Sequence, residues 1–347
     1  MPQGHVSLAT LAGVMLCLLA GMRASPAMAQ NLDPAGPWRQ MFRRPEGPPP
    51  APPENPLTPE KIALGARLFA DVRLSGSRDR ACSSCHAPAR AFTDGRRRAL
   101  GRSGTQLRRN APSLFNLAWG KQFFWDGRAP SLEMQVGMPI AEREEMGGDW
   151  PTILGRLEAD GERVRQFRAA FPEHAAMARE PVLKALAAYV RSLVSPPTRF
   201  DAWIEGNREA LRPAEIRGFG LFVGKAGCVL CHVGWRFTDD RFHDIGLASP
   251  DAGRGQVPGG TPGLAAFKTP GLRELERTAP YMHDGSLATL AAVVRHYSGR
   301  FVARPSLAPQ INRRLRLSAR EQADLIAFLH TLSSATSPAS AQRAGPD

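Results

Sequence analysis

The chain has 347 residues, 43% of them hydrophobic, and carries 45 Lys and Arg against 32 Asp and Glu, a formal net charge of +13. That length predicts two domains of about 150 residues each, and the composition excludes global disorder and a coiled coil. The charge invites a nucleic-acid reading, but the densest basic run, Arg96 to Arg98, is short and no nucleic-acid motif accompanies it, so no such partner is expected.

In chain order, residues 1–29 read as a signal peptide. An apolar stretch from Val6 to Met22 precedes Ala27-Met28-Ala29, an A-x-A cleavage site. No Lys or Arg stands before that stretch, which leaves a retained anchor as the alternative; no stable membrane anchor is expected. Cleavage removes Cys17, one of five cysteines, and Arg23 without any acid, leaving +12. Residues 30–56 read as a proline-rich lead, extended over its proline run at 44–56. Thr58 and Pro59 open a helix that carries Gly65, Leu68 and Phe69. Cys82-Ser-Ser-Cys-His86 follows, then Phe92-Thr-Asp-Gly-Arg96, then Pro112-x-Leu114 fourteen residues before Asp126-Gly127, then an apolar helix from Leu186 to Leu193.

The same marks return in the same order. Gly218, Leu221 and Phe222 precede Cys228-Val-Leu-Cys-His232; Phe237-Thr-Asp-Asp-Arg241 follows; Pro270-x-Leu272 stands fourteen residues before Asp284-Gly285; and Leu325 to Leu332 is a second apolar helix, opened by the capping box Ser318-x-x-Glu321. Such order predicts an internal duplication. The expected fold is mainly α: two duplicated cytochrome c-like haem domains with long loops, at 57–200 and 201–334, and a disordered tail at 335–347. No stretch alternates as a strand does, and Ser249 to Gly263 reads as a loop.

C-x-x-C-H marks covalent attachment of c-type haem, the histidine ligating iron. Cys82, Cys85 and His86 would hold haem 1; Cys228, Cys231 and His232 would hold haem 2. A zinc site is the competing reading, and it needs four Cys or His ligands in one cluster. The sixth position of each iron then decides function. Aligning Asp126 with Asp284 gives an offset of 158, which matches Tyr297 with Pro139. A phenolate can ligate iron and a proline cannot, so haem 1 is expected open and haem 2 closed, with His296 as the rival ligand to Tyr297. An open haem near a carboxylate suits peroxide chemistry, and the candidate acids lie between Pro139 and Met146. Trp125 aligns with His283 and reads either as a redox-active tryptophan between haems or as a core aromatic.

These motifs, with Arg109-Asn-Ala-Pro112, Phe124-Trp125-Asp-Gly-Arg-Ala and Pro280-Tyr-Met-His-Asp-Gly285, resemble the bacterial dihaem cytochrome c peroxidase superfamily, within it the MauG-like branch, over about residues 57–332. The resemblance implies Trp125 as the inter-haem tryptophan, Glu145 as the catalytic glutamate, Gln135 as the distal-pocket glutamine and Pro139 over the distal face of haem 1. It also implies a calcium ion held by the Asn110 side chain and the Thr278 and Pro280 carbonyls. Arg102 and Tyr297 stand where ordinary peroxidases of the family carry a ligating histidine and a ligating methionine. Both changes look like MauG and imply a five-coordinate haem 1 and a His/Tyr-ligated haem 2. MauG-type enzymes oxidise tryptophans in a protein substrate, and Trp235 is the nearest oxidisable aromatic to the second motif.

The expectation is a periplasmic dihaem peroxidase of MauG type. It would reduce hydrogen peroxide with electrons from an acidic redox protein: a small cytochrome, a cupredoxin or a protein substrate. Maturation of a tryptophylquinone cofactor in an amine dehydrogenase precursor is one alternative. A non-catalytic electron-transfer dihaem cytochrome is the other.

Overall fold

A computed structural model describes residues 36–260, 265–311 and 315–335. The expected signal peptide and residues 336–347 of the expected tail lie outside the described residues. The helices in chain order are α1 (Pro37–Phe42), α2 (Pro59–Phe69), α3 (Cys82–Cys85), α4 (Leu132–Ala141), α5 (Trp150–Glu158), α6 (Gly161–Ala170), α7 (Arg179–Ser192), α8 (Arg199–Ile204), α9 (Pro213–Val223), α10 (Leu290–Tyr297) and α11 (Ala319–His330). The fold is mainly helical, as expected. Among the described residues the one ladder pairs β1 (Phe242–His243) antiparallel with β2 (Phe267–Lys268), and no helix is long and apolar enough to cross a membrane.

Local signals set the helix starts. Thr58 accepts a hydrogen bond from the Lys61 N–H ahead of α2, and Ser318 and Glu321 cap α11 reciprocally. The frame is two helix crossings, α2 on α7 and α9 on α11. A glycine closes each. A Cβ on Gly65 would strike the Ala185 carbonyl, and one on Gly218 the Asp324 carbonyl. The axes therefore approach closely only where no side chain intervenes, and this places Leu68 and Phe69 in one core and Phe222 in the other. The first core gathers residues 64–193; the second is an aromatic cluster around Phe200, Phe219, Phe237 and Phe328. Helix α8 straddles the expected boundary at 200/201, yet Phe200 and Trp203 both pack in the second core.

The two regions repeat in backbone detail at the offset of 158. Asn116 and Glu274 have φ of 62° and 61°, Phe124 and Met282 have 67° and 76°, and Gly127 and Gly285 have 69° and 62°. The bridge Phe123–Ala129 recurs as Tyr281–Leu287. Ser131 caps α4 and Thr289 caps α10.

Within the expected lead, ahead of its proline run, residues 37–42 are helical, and Phe42 is wholly buried in the second core, stacked on Phe237 with centroids 4.9 Å apart. Arg39 and Arg43 pair with Glu205, and the Arg44 guanidinium donates to the Ser195 carbonyl at 2.6 Å. Further on, buried Asn55 donates to Glu133 and to the Lys184 carbonyl, beside the first core. Residues 37–55 thus strap both cores. Six residues are too few for a helical period to be read, while burying Phe42 supplies about 1.5–3 kcal/mol of apolar transfer.

The glycine crossings give a direct test. Gly65→Ala and Gly218→Ala should each lower stability by about 1–3 kcal/mol in chemical denaturation, because the helices must move apart. Gly155→Ala in α5, where the added methyl meets open space, should leave stability equal or slightly raised.

Candidate functional site

Each Cys-x-x-Cys-His turn ends in an imidazole whose orientation is fixed by one bond. His86 Nδ1 lies 2.9 Å from the Phe92 carbonyl oxygen, and His232 Nδ1 lies 2.8 Å from that of Phe237. With Nδ1–H donating, Nε2 is the nitrogen left as a lone-pair ligand. Both phenylalanines hold left-handed φ, 58° and 57°. That conformation costs a bulky residue about 1–2 kcal/mol, and it recurs because it turns the carbonyl toward the ring. Burial lowers the pKa of both histidines, which favours the neutral, ligating form.

The four cysteines of the two motifs are free, and burial pushes the Cys82 and Cys228 thiols up to about 12. Among the described residues the one cluster of three Cys, His, Asp or Glu side chains is Cys231, Asp239 and His243, which holds a single motif cysteine. The donor set therefore does not make the zinc cluster weighed above.

Both motifs open into one cavity of about 1320 Å³. That exceeds the roughly 300–1,000 Å³ of a single-ligand pocket, and its wall is largely apolar, so the residues fit two large flat cofactors. Gln135 and Pro139 line it from α4, Glu145 from the loop beyond, and Tyr297 from α10. Glu145 is within electrostatic reach of Cys85, and Tyr297 of Cys228 and Cys231. Burial pushes the Glu145 carboxyl above the ordinary range, opposed in part by Arg128 and reinforced by Glu142 and Glu144. Burial likewise raises the Tyr297 phenol. Pro139 and Tyr297, equivalent in register, both line the cavity. His296 does not; its Nε2 lies 2.9 Å from the Ile245 carbonyl oxygen. Arg102 is tied instead to the acidic loop, its backbone N–H donating to the Glu144 carbonyl at 2.8 Å.

Trp125 lies on the cavity wall with its indole N–H donating to the Asn110 carbonyl at 2.9 Å. Its own carbonyl accepts from Lys268 N–H in β2 at 2.7 Å. Arg109 braces this junction, bonding Asp126 on one side and Asp251 bidentately on the other. His283, the register partner of Trp125, stacks flat on Phe267 at 3.5 Å, and burial lowers its pKa to about 4. The expected calcium residues Asn110, Thr278 and Pro280 all line the same cavity. The Asn110 amide donates to the Arg96 carbonyl, which leaves its Oδ1 as the oxygen for a cation.

Several residues of the site carried no mark in the sequence. Arg273 lines the cavity, pairs with Asp201 at 2.8 Å, and its buried Nη2 finds no hydrogen-bond partner among the described residues. An orphaned guanidinium donor on this wall fits a carboxylate of a bound macrocycle. His243 bonds Asp239 at 2.8 Å, and this with Cys231 raises it to about 9. The Cys231 part falls away once that sulfur is a thioether. The Arg273–Asp201 pair joins residues 72 apart, which no local spacing encodes.

Comparison with known proteins agrees with this geometry. A model of the di-haem cytochrome c peroxidase family matches residues 59–209. The chain is 46% identical over 316 residues to the methylamine utilization protein MauG of Methylorubrum extorquens, covering 90% of this chain and 89% of that one. It is 41% identical over 326 residues to the protein of the same name from Methylophilus methylotrophus, covering 92% and 94%. The crystal structure of a MauG-like protein associated with microbial copper homeostasis superposes with a TM-score of 0.80 at 35% identity, covering 87% of this chain and 97% of that one.

The attachment geometry predicts what survives unfolding. The protein should keep two haems on a denaturing gel stained for haem, and Cys228→Ala with Cys231→Ala should keep one.

Proposed function

Because the chain belongs to the di-haem cytochrome c peroxidase family, we propose that it is a periplasmic dihaem peroxidase of MauG type that reduces hydrogen peroxide with electrons from an acidic protein. Membership makes it a haem oxidoreductase, and the family brings two haem c groups. The finer reading rests on one observation: a single cavity joins both motifs, with Glu145 and Pro139 on one wall and Tyr297 on the other. In this reading the two regions, 57–200 and 201–334, are a duplicated cytochrome c-like pair, which the repeated backbone angles and glycine crossings support.

When bound, the haems supply the iron that accepts peroxide and stores oxidising equivalents. The chain does the rest. His86 and His232 hold Nε2 toward iron. Pro139, on the wall of the cavity that the first motif lines, has no side-chain lone pair to offer a metal, and would leave room for peroxide beside haem 1. The Glu145 carboxylate takes a proton from one peroxide oxygen and delivers it to the other, and its raised pKa suits both halves of that transfer. The Gln135 amide orients the peroxide. Overall, one peroxide, two electrons and two protons give two waters. Trp125, fixed through its indole N–H on the wall of the cavity that both motifs line, would be the aromatic route for those electrons. Tyr297, on the wall of the same cavity, would hold haem 2 through its phenol oxygen. The Asn110 side chain and the Thr278 and Pro280 carbonyls hold calcium near the junction, an oxygen-only set suited to that ion.

Maturation of a tryptophylquinone cofactor is the second reading, favoured by the extent of identity with two proteins named for methylamine utilization. Supplying an amine dehydrogenase precursor with peroxide separates the two. Quinone absorbance appearing in the precursor selects maturation, and turnover confined to a small acidic electron carrier selects peroxidase activity.

Electron paramagnetic resonance of the ferric protein should give one high-spin and one low-spin haem, with peroxide turnover needing no prior reduction. Two low-spin signals would sink the open-site reading. Glu145→Gln should lower turnover by about 10²–10⁴. The parent's rate should fall as pH drops through a value above the ordinary carboxylate range of about 4.3, since the carboxylate form is lost there, and this limb should vanish in the variant. With a mature charge of +12, turnover with an acidic donor should slow as ionic strength passes about 0.1 M, where the Debye length is about 10 Å.

A further inference from the structure

Tyr297 is the last residue of α10, and the carbonyls before it are met locally, those of Val294 and Arg295 by Ser298 N–H and that of His296 by Arg300 N–H. These bonds tie the turn to its own chain neighbours, whereas a metal ligand must keep its oxygen within about 0.5 Å of one place relative to the rest of the site. His296 meets that need. It is 4% exposed, its imidazole N–H donates to the Ile245 carbonyl at 2.9 Å, and its ring meets that of Tyr297 edge-on at 5.1 Å.

The accepting segment, residues 244–246, is itself fixed. The Asp244 carboxylate, wholly enclosed, accepts from Arg304 at 2.7 and 2.6 Å, from Ser306 at 2.5 Å and from Gly246 N–H at 2.9 Å. Val302 N–H donates to the Gly246 carbonyl at 2.7 Å, and Ala308 N–H to the Asp244 carbonyl at 2.9 Å. Gly246 has φ of 66°, and a Cβ there would press on the Val302 carbonyl and the Phe301 side chain, so the segment 244–246 and the loop at 300–308 lock together only with glycine.

The first half supplies the control. The register partner of His296 in α4 is Met138, which is 37% exposed. The pin is present only in the half whose next residue is tyrosine; the other half has Pro139 there.

We propose that His296 is a positioning residue: its bond to the Ile245 carbonyl holds the last turn of α10 so that the Tyr297 phenol oxygen stays at the distal face of haem 2. The proposal rests on Tyr297 being that ligand.

The test uses the ferric holoprotein and three variants. His296→Leu keeps bulk and loses the bond; His296→Gln keeps an N–H donor; Tyr297→Phe removes the ligand itself. His296→Leu should shift the low-spin g values and the reduction potential of haem 2, or convert part of it to high spin. Full haem content and the parent high-spin signal of haem 1 should remain, and His296→Gln should restore most of the parent low-spin signal. Unchanged low-spin g values and potential in His296→Leu overturn the proposal, as does equal loss of both signals, which marks a merely structural role. If Tyr297→Phe changes the low-spin signal while His296→Leu does not, only the positioning proposal falls. If Tyr297→Phe leaves that signal intact, the ligand reading falls and the proposal with it.

Discussion

Two short hydrogen bonds, from His86 Nδ1 to the Phe92 carbonyl and from His232 Nδ1 to the Phe237 carbonyl, set the terms for everything around them. Each aims one imidazole nitrogen into the cavity and withdraws the other. Each requires a phenylalanine in a left-handed turn, a strained conformation that persists only where packing over-determines it. The packing that does so differs between halves. Phe92 leans on Phe69 and Phe115, whereas Phe237 sits within the aromatic cluster of Phe42, Phe200 and Phe222. The crossed helices behind each motif then serve one end, which is to hold a strained carbonyl still.

Against this repeated scaffold the chemistry is asymmetric. Positions related by the offset of 158 carry proline against tyrosine, exposed methionine against pinned histidine, and a hydrogen-bonded tryptophan against a stacked histidine. None of these exchanges disturbs the helix crossings or the turns, because each falls on the cavity wall or at a helix end. A scaffold that tolerates change at its wall lets its two halves carry different side chains around one shared cavity.

Much of this was legible in the sequence, because its causes are local. The Cys-x-x-Cys-His turns, the Thr58 and Ser318 caps and the paired Gly-x-x-Leu-Phe marks each lie within a few residues. The glycines were visible as repeats, but their reason, a carbonyl on a helix more than a hundred residues away, was not. The choice between His296 and Tyr297 was also closed to spacing, since adjacent helical residues differ by direction alone and Ile245 decides which way one of them turns. The strap escaped for the same cause: Phe42 gains its meaning from Phe200 and Phe237. The buried Arg273–Asp201 pair likewise joins residues that no motif links.

That strap bears on the order in which the molecule is assembled. Synthesis runs from the amino terminus, so α1 is among the first of the described helices to be made, yet the surface that buries Phe42 consists of residues 200–237. Its first partner in the second core, Phe200, lies 158 residues further along the chain (200 − 42). The second region in turn lacks one wall of its core without a segment that precedes the first. Neither region is therefore a separable module, whatever their kinship: cutting the chain between them would leave an exposed aromatic socket on one piece and a homeless helix on the other, both surfaces of the kind that drive misassembly.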